Sequence, residues 1–247
     1  MRASAIEFRL RMAIMAVIIS VGAWSPWIDA TGSGRRISLL EWLPLELSRT
    51  GLASFTLATP LVIVVASLIA ALGATLRVWG AAYLGPGTVN SMEMKAGVVM
   101  ADGPFRYVRN PLYLGTACMM AAITFVLPPS GALFVVVLIS VFLLRLILAE
   151  EAFLTRQLGE PYRAYLRAVP RLLPRLRSNL PASSQRPHWL LAVLSELTST
   201  GVFFTLAFLS WQYDNRLMTR AILISFGASL VVRALMPQAA STPTPAE

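Results

Sequence analysis

The chain has little of what disulfide frameworks and metal centres require. It contains one cysteine, Cys118, and one histidine, His188. A disulfide within the chain and a zinc site built from Cys and His ligands are therefore both excluded. Cys118 lies inside an apolar run and is predicted to be a small packing residue. His188 stands beside Pro187 and Trp189, which favours a position at a membrane interface over a catalytic role.

Charged residues are also scarce. They make up 13% of the sequence, against about a quarter in soluble domains. Mean hydropathy is +0.66, and several apolar runs reach the roughly 20 residues that cross a bilayer as a helix. These features predict an all-α polytopic membrane protein. In such a chain the net charge of +9 indicates topology and contact with anionic lipid rather than nucleic-acid binding.

The apolar runs predict about six transmembrane helices and three parts of the chain. The predicted spans are 12–28, 54–80, 111–127, 132–149, 189–210 and 217–236. A signal peptide is the alternative for the first, but no convincing cleavage site follows, so a retained anchor is favoured. The predicted parts are 1–50 with the first span and an outer loop, 51–178 as the core with the site, and 179–247 with two further spans and a disordered tail.

The distribution of arginine and lysine predicts the orientation. With the N-terminus inside, inner segments hold 15 of these residues and outer loops hold 5. Positive charge accumulates on the cytoplasmic side, so both termini and the polar loops 81–110 and 150–188 are predicted to be cytoplasmic. The expected location is a bacterial inner membrane. Glycine-rich strand-turn-helix and phosphate-binding motifs are lacking, which argues against a Rossmann domain.

The stretch GPFRYVRNPLYLG (103–115) opens the third predicted span. The Asp102-Gly103 pair before it predicts a small hairpin or a tight loop. Pro111 fits a first helical turn, which makes Asn110 a candidate N-cap. Free N–H groups at the helix start, with Arg106 and Arg109, would offer an anion site. The alternative is that the arginines are ordinary inner-surface charges and the tyrosines an aromatic belt.

The second polar stretch, 145–175, follows the fourth predicted span. Glu150 and Glu151 lie about 100° apart on a helix, so the two carboxylates do not face one cavity equally. Arg145 lies deeper, where a charge either snorkels or lines a site. Glu160-Pro161 predicts the start of an amphipathic interfacial helix over 161–169. The alternative is that these charges only mark the end of a span.

A tight turn between spans three and four predicts an antiparallel hairpin. Its cytoplasmic ends would bring arginines, a helix start, two glutamates and several tyrosines together beside the lipid. Such a pocket suits a polar cytosolic cofactor that meets a lipid-soluble substrate.

These residues resemble the isoprenylcysteine carboxyl methyltransferase family, which is related to the phospholipid N-methyltransferases. The resemblance rests on LRVWGAAYLG, GPFRYVRNPLYLG, AEEAFL and EPYRAYLRAVPRLLP, in that order over 76–175. It implies S-adenosyl-L-methionine as cofactor, bound without a Rossmann domain. The predicted catalytic residues are Arg109, Glu150 and Glu151, which the resemblance implies, and Arg145, which is added because it lies deeper in the fourth predicted span. The cofactor-binding residues that the resemblance implies are Arg109, Asn110, Tyr113, Gly115, Glu150, Glu151, Tyr162, Tyr165 and Arg171. The neighbouring residues of the first stretch are predicted to bind the cofactor as well, namely Arg106, Tyr107, Val108 and Pro111.

The sequence departs from the family at Asn110, where histidine is commoner. Asparagine keeps hydrogen-bonding capacity but does not titrate. The expected acceptor is a lipid-soluble or amphipathic carboxylate, amine or thiol. Two alternatives stay open: an NADPH-dependent membrane reductase with a sterol-reductase-like architecture, and a non-catalytic membrane scaffold.

Overall fold

The fold is that of an all-helical membrane protein. The computed structural model describes residues 2–24, 37–84, 101–178, 180 and 186–235, and these residues contain helices and no strand. The helices are α1 (Ala5–Arg9), α2 (Arg11–Trp24), α3 (Leu39–Arg49), α4 (Phe55–Leu84), α5 (Pro111–Ile123), α6 (Pro129–Leu158), α7 (Glu160–Ala168), α8 (Trp189–Ser195), α9 (Leu197–Phe204) and α10 (Asn215–Leu235).

Within the described residues, α4, α6 and α10 are long and apolar enough to cross a membrane. A fourth crossing is formed if α8 and the helical stretch 197–212, which meet at a 72° bend, act as one span. The helices α2 and α5 are apolar but shorter. The count of six spans and the N-in, C-in orientation therefore stay predictions. The end of the first predicted span (25–28), residue 236 and the tail lie outside the described residues.

The predicted hairpin corresponds to α5 and α6. A short 3-10 turn at Thr124–Val126 follows α5, and Pro129 occupies the first turn of α6, where its missing N–H costs no hydrogen bond. The side of α6 that faces the protein carries Val135, Ile139 and Leu146, each almost fully buried. The hairpin thus returns the chain to the end of the molecule where α5 begins.

The helix α6 continues past Glu150 and Glu151, where the fourth span was expected to end. Residues 152–158 contain no glycine or proline, so the helix runs on to Leu158. Gly159 ends it with a φ of +63°, a conformation that costs glycine little. The two glutamates therefore lie inside a continuous helix, on a rigid support.

The helix α7 begins at Glu160, with Pro161 in its first turn, close to the predicted 161–169. Tyr162 and Tyr165 are buried, whereas Arg163 and Arg167 are exposed and donate to Glu160. The helix packs one side on the protein, and its position at the membrane surface stays a prediction. The predicted turn at Asp102-Gly103 leads into a 3-10 helix, Gly103–Arg106, while residues 98–100 of that prediction lie outside the described residues.

The helices α4 and α5 approach each other closely at two glycines, Gly73 and Gly115. A Cβ built on Gly115 would lie 2.6 Å from Cγ of Arg77 and 2.9 Å from the carbonyl oxygen of Gly73. Both distances are shorter than van der Waals contact. Small residues of this kind allow the backbones of membrane helices to pack directly.

We expect Gly115→Ala to lower the melting temperature, because the added methyl group forces the two helices apart at a cost of about 1–3 kcal/mol. The matched control is Gly227→Ala in α10, where an added Cβ meets nothing within 4 Å. That change is expected to leave stability equal or raise it by up to about 1 kcal/mol. Thermal denaturation in detergent measures both, and equal melting temperatures for the two variants would contradict the close crossing.

Candidate functional site

A buried carboxylate, Glu151, lies at the centre of the candidate site. Its side chain is 8% exposed. Arg109 donates from Nη1 to Oε1 at 3.1 Å, and Arg171 donates from Nη2 to Oε2 at 2.7 Å. Asn110 donates from Nδ2 to Oε1 at 3.4 Å. The Glu151 carboxylate therefore joins the start of α5, the body of α6 and the segment after α7. The hydrogen bond with Glu151 raises the pKa of Arg171.

Glu150 has a different partner. The hydroxyl of Tyr113, in the first turn of α5, donates to its Oε2 at 2.7 Å. Arg11 of α2 is near enough to act on Glu150 electrostatically. As helix geometry requires, the two adjacent carboxylates face different surroundings. Both nevertheless contact the start of α5: Glu150 accepts from Tyr113 in its first turn, and Glu151 accepts from Asn110, the residue before it.

Asn110 occupies the N-cap position of α5, and Pro111 is its first residue. The Asn110 side chain makes no capping hydrogen bond, which corrects the expectation that it caps the helix. Its amide instead donates to Glu151 and, at 3.2 Å, to the carbonyl oxygen of Arg171. The buried carboxylate attracts the amide donors more strongly than a helix end attracts the amide oxygen.

Backbone hydrogen bonds join the two polar stretches. The N–H of Arg109 donates to the carbonyl of Pro170 at 2.8 Å, and the N–H of Arg175 donates to that of Tyr107 at 3.0 Å. The Tyr165 hydroxyl donates to the carbonyl of Phe105 at 2.8 Å. Burial raises the pKa of Tyr165 further above neutral pH, and the protonated phenol is the donor in this hydrogen bond. The stretches 103–110 and 169–175 thus form one packed layer over the ends of α5 and α6.

Several residues expected to bind cofactor support this layer. Arg106 donates to the carbonyl of Leu180, and the ring of Tyr107 lies 6.0 Å from that of Trp79. Val108 is 1% exposed, and Tyr162 is buried beside Tyr165.

Two predicted residues lie apart from the Glu151 cluster, by which we mean Glu151, Arg109, Asn110 and Arg171. Gly115 faces α4, where it allows the close crossing. Arg145 donates from Nη2 to both carboxylate oxygens of Glu7 in α1, at 2.8 and 2.9 Å, and this pair is about one-third exposed.

The Glu151 cluster has the charges of an anion site. Two guanidinium groups share one carboxylate, which leaves an excess of positive charge. The Nε of Arg109 is buried and has no hydrogen-bond partner among the described residues. A buried unpaired donor beside excess positive charge fits a carboxylate ligand, because such a donor is costly to leave unsatisfied. Glu150, with Tyr113, offers a neighbouring site for a cationic group.

The sequence patterns did not identify three charged residues near these elements. Arg11 acts on Glu150, and Arg77 of α4 forms a buried ion pair with Glu196. Arg77 and Glu196 each interrupt an apolar stretch. A charged residue within an apolar membrane segment indicates a function or an ion-pair partner, and the sequence alone shows such residues at Arg77 and Glu196.

Comparison with protein families bears on this geometry. The family model for phospholipid methyltransferase matches residues 56–161. This segment matches the phospholipid methyltransferase family. The match confirms the resemblance to membrane methyltransferases of the phospholipid type. No curated protein and no solved structure matches the chain.

The segment matched by the family model contains most of the cluster. It includes Arg109, Asn110 and Glu151, together with Tyr113 and Glu150, and it ends at the start of α7. Arg171, Arg11 and Glu196 lie outside it. The contacts of the site therefore extend beyond the matched segment on both sides.

Proposed function

We propose that the protein transfers a methyl group from S-adenosyl-L-methionine to a lipid-soluble acceptor at the cytoplasmic membrane face. The observation that carries this proposal is the Glu151 cluster, which lies at the mouth of an apolar helical hairpin and has all its members except Arg171 inside a segment that matches a methyltransferase family. A polar cofactor and a lipid meet most readily at such a place.

The residues present fit this cofactor. Arg109 and Arg171 would hold its carboxylate, since planar guanidinium groups match carboxylates. Glu150, with Tyr113, would face a cationic part or a ribose hydroxyl. When bound, the cofactor supplies an electrophilic methyl group on a sulfonium.

The chain's own residues orient and shield the reactants. Methyl transfer from a sulfonium to a nucleophile is promoted by alignment and by exclusion of water, and it needs no covalent protein intermediate. Asn110 positions Glu151 and does not exchange a proton in the reaction, which is consistent with asparagine where histidine is commoner. The buried side chains of Val108, Tyr162 and Tyr165 would exclude water from one side of the site.

The acceptor is proposed to be a phospholipid or another amphipathic molecule that enters laterally. The family match favours a lipid acceptor. Arg145 is partly exposed and pairs with Glu7, so an anionic headgroup could exchange with that carboxylate. Arg145 is therefore assigned to the acceptor rather than to the cofactor.

Cofactor-dependent stabilisation tests the proposed function. At a concentration 100 times its Kd, S-adenosyl-L-methionine is expected to stabilise the purified protein by about 2.7 kcal/mol, whereas NADPH should leave the melting temperature unchanged. Labelled methyl transfer to a membrane lipid extract is measured in parallel. Stabilisation by NADPH alone would favour a reductase, and the absence of both cofactor effects and methyl incorporation would favour a scaffold.

Arg145→Gln is expected to raise the KM for the lipid acceptor about threefold to tenfold, because a partly exposed charged contact contributes on the order of 1 kcal/mol. The Kd of S-adenosyl-L-methionine should not change. Steady-state kinetics in mixed micelles measure the KM, and calorimetry measures the Kd. A weaker Kd with an unchanged KM would move Arg145 to the cofactor side of the site.

A further inference from the structure

A second buried ion pair joins α4 to the bent helix pair formed by α8 and 197–212. Arg77 donates from Nε and Nη2 to the two carboxylate oxygens of Glu196, at 2.5 and 2.7 Å. Glu196 is completely buried, and the Arg77 side chain is 16% exposed. A bidentate pair of this kind fixes orientation as well as distance, because both N–H donors must align with the carboxylate.

Glu196 lies at the break between α8 and α9. It is the residue where the helix axes turn by 72°, and it takes no part in either helix as assigned. The hydroxyl of Ser199 donates to its Oε2 at 3.1 Å. The carboxylate is thus fully partnered at the point where the pair bends.

The same guanidinium reaches the start of α5. Nη1 of Arg77 donates to the hydroxyl of Thr116 at 2.5 Å. The Arg77 side chain passes over Gly115, where a Cβ would lie 2.6 Å from Arg77 Cγ. Gly115 and Thr116 follow Tyr113, which binds Glu150, on the first turns of α5. One side chain therefore joins the bent pair to the helix that presents the candidate site.

We infer that Glu196 is a positioning residue for the proposed methyl transfer. Through Arg77 it fixes the first turns of α5, and with them Tyr113 and Asn110. The bent pair over 189–212, which lies outside the family match, would then be an integral part of the catalytic unit. This inference rests on the proposed function, since it assigns a role in the same site.

The first test removes the Thr116 hydroxyl, which accepts the hydrogen bond from Nη1 of Arg77. Thr116→Val is nearly isosteric and leaves the Arg77–Glu196 pair in place. Its matched control is Thr59→Val near the other end of α4. Both hydroxyls donate to the carbonyl four residues earlier, at 2.9 and 2.8 Å, but only Thr116 also accepts from an arginine.

We expect Thr116→Val to lower kcat for methyl transfer about tenfold, since a hydrogen bond to a charged group is removed. Thr59→Val should stay within about twofold of the unchanged protein. Thr116→Ser, which restores the hydroxyl, should recover activity. Equal kcat values for Thr116→Val and Thr59→Val in an active enzyme would overturn the inference.

A second test separates positioning from stability. Glu196→Gln should lower both the melting temperature and kcat, because it leaves a buried guanidinium without its counter-charge. The double variant Arg77→Met with Glu196→Met removes both charges, and such replacements often restore stability. We expect kcat to stay about tenfold low at the restored melting temperature. Recovery of both quantities would show a structural role only and overturn the inference.

A measurement that does not depend on enzyme activity separates failure of this inference from failure of the proposed function. Cys118, the single thiol of the chain, lies on α5 against Gly73 and is partly exposed. Its alkylation by N-ethylmaleimide reports the packing of α5 on α4. If the unchanged protein transfers no methyl group, the proposed function fails, and faster alkylation in Thr116→Val than in Thr59→Val would then show that Arg77 still fixes α5 against α4. Equal alkylation rates in that case would reject both.

Discussion

Replacing Glu151 with glutamine is expected to reduce methyl transfer at least 100-fold and to weaken binding of S-adenosyl-L-methionine. The amide carries no charge and has one acceptor oxygen in place of two, so the mostly buried Arg109 and the partly exposed Arg171 lose their shared counter-charge. Breaking a buried ion pair costs about 3–5 kcal/mol, which corresponds to two or more factors of ten. Labelled methyl transfer measures the activity, and calorimetry measures the Kd.

The matched control is Glu160→Gln at the start of α7. Glu160 also binds two arginines, Arg163 and Arg167, but all three side chains are more than half exposed. Solvent screens such surface pairs, so activity should change less than about twofold. If Glu151→Gln bound cofactor as tightly as Glu160→Gln does, the Glu151 cluster would be a structural brace and the cofactor would bind elsewhere.

Changes at Asn110 are expected to give the second large effect on methyl transfer. The size of that effect depends on the charge and the hydrogen-bond donors of the new side chain. Asn110→Asp places a carboxylate where the amide now donates to Glu151. Two like charges in a buried site repel each other, so we expect methyl transfer to fall about 100-fold at neutral pH. Asn110→Ala removes donors without adding charge and should weaken cofactor binding about tenfold. Asn110→His should retain or raise activity. Labelled methyl transfer by the three variants gives the order of their activities, and titration calorimetry gives the order of their Kd values for the cofactor.

Asn215→Ala is the control for loss of a partly buried amide that donates to a backbone carbonyl. Asn215 donates from Nδ2 to the carbonyl of Val126 at 3.2 Å, the distance at which Asn110 donates to the carbonyl of Arg171. Its removal should lower the melting temperature by a similar amount and leave the Kd of the cofactor unchanged. An unaltered Kd in Asn110→Ala would contradict the role given to this residue.

The parts of the fold that could be predicted from sequence are those set by local chemistry. Pro111 marks a helix start because it needs no N–H partner there, and Glu160-Pro161 marks another. The convergence of Asn110 with Glu151 followed from the hairpin. These elements depend on residues that are close in the chain or on a single tight turn.

The partners of the buried charges could not be predicted in the same way. Arg145 pairs with Glu7, 138 positions away, and Arg77 pairs with Glu196, 119 positions away. Such pairs depend on how α1 and the bent pair pack, which no local pattern specifies. Local sequence predicts that the Asn110 side chain caps α5. Its actual partner, the Glu151 carboxylate, is brought near only by tertiary packing, so local sequence does not reveal it.

The distance between Arg77 and Glu196 has a consequence for biogenesis. Arg77 leaves the ribosome 119 residues before its carboxylate partner, so α4 enters the bilayer with an uncompensated charge. Until the last third of the chain is made, that guanidinium must reach towards the interface. A nascent chain that stops before residue 189 would therefore contain the whole family segment and still expose a polar defect to lipid. Such a chain is expected to be a substrate for membrane quality-control proteases, and its half-life in pulse-chase labelling should lengthen when Arg77 is replaced by methionine.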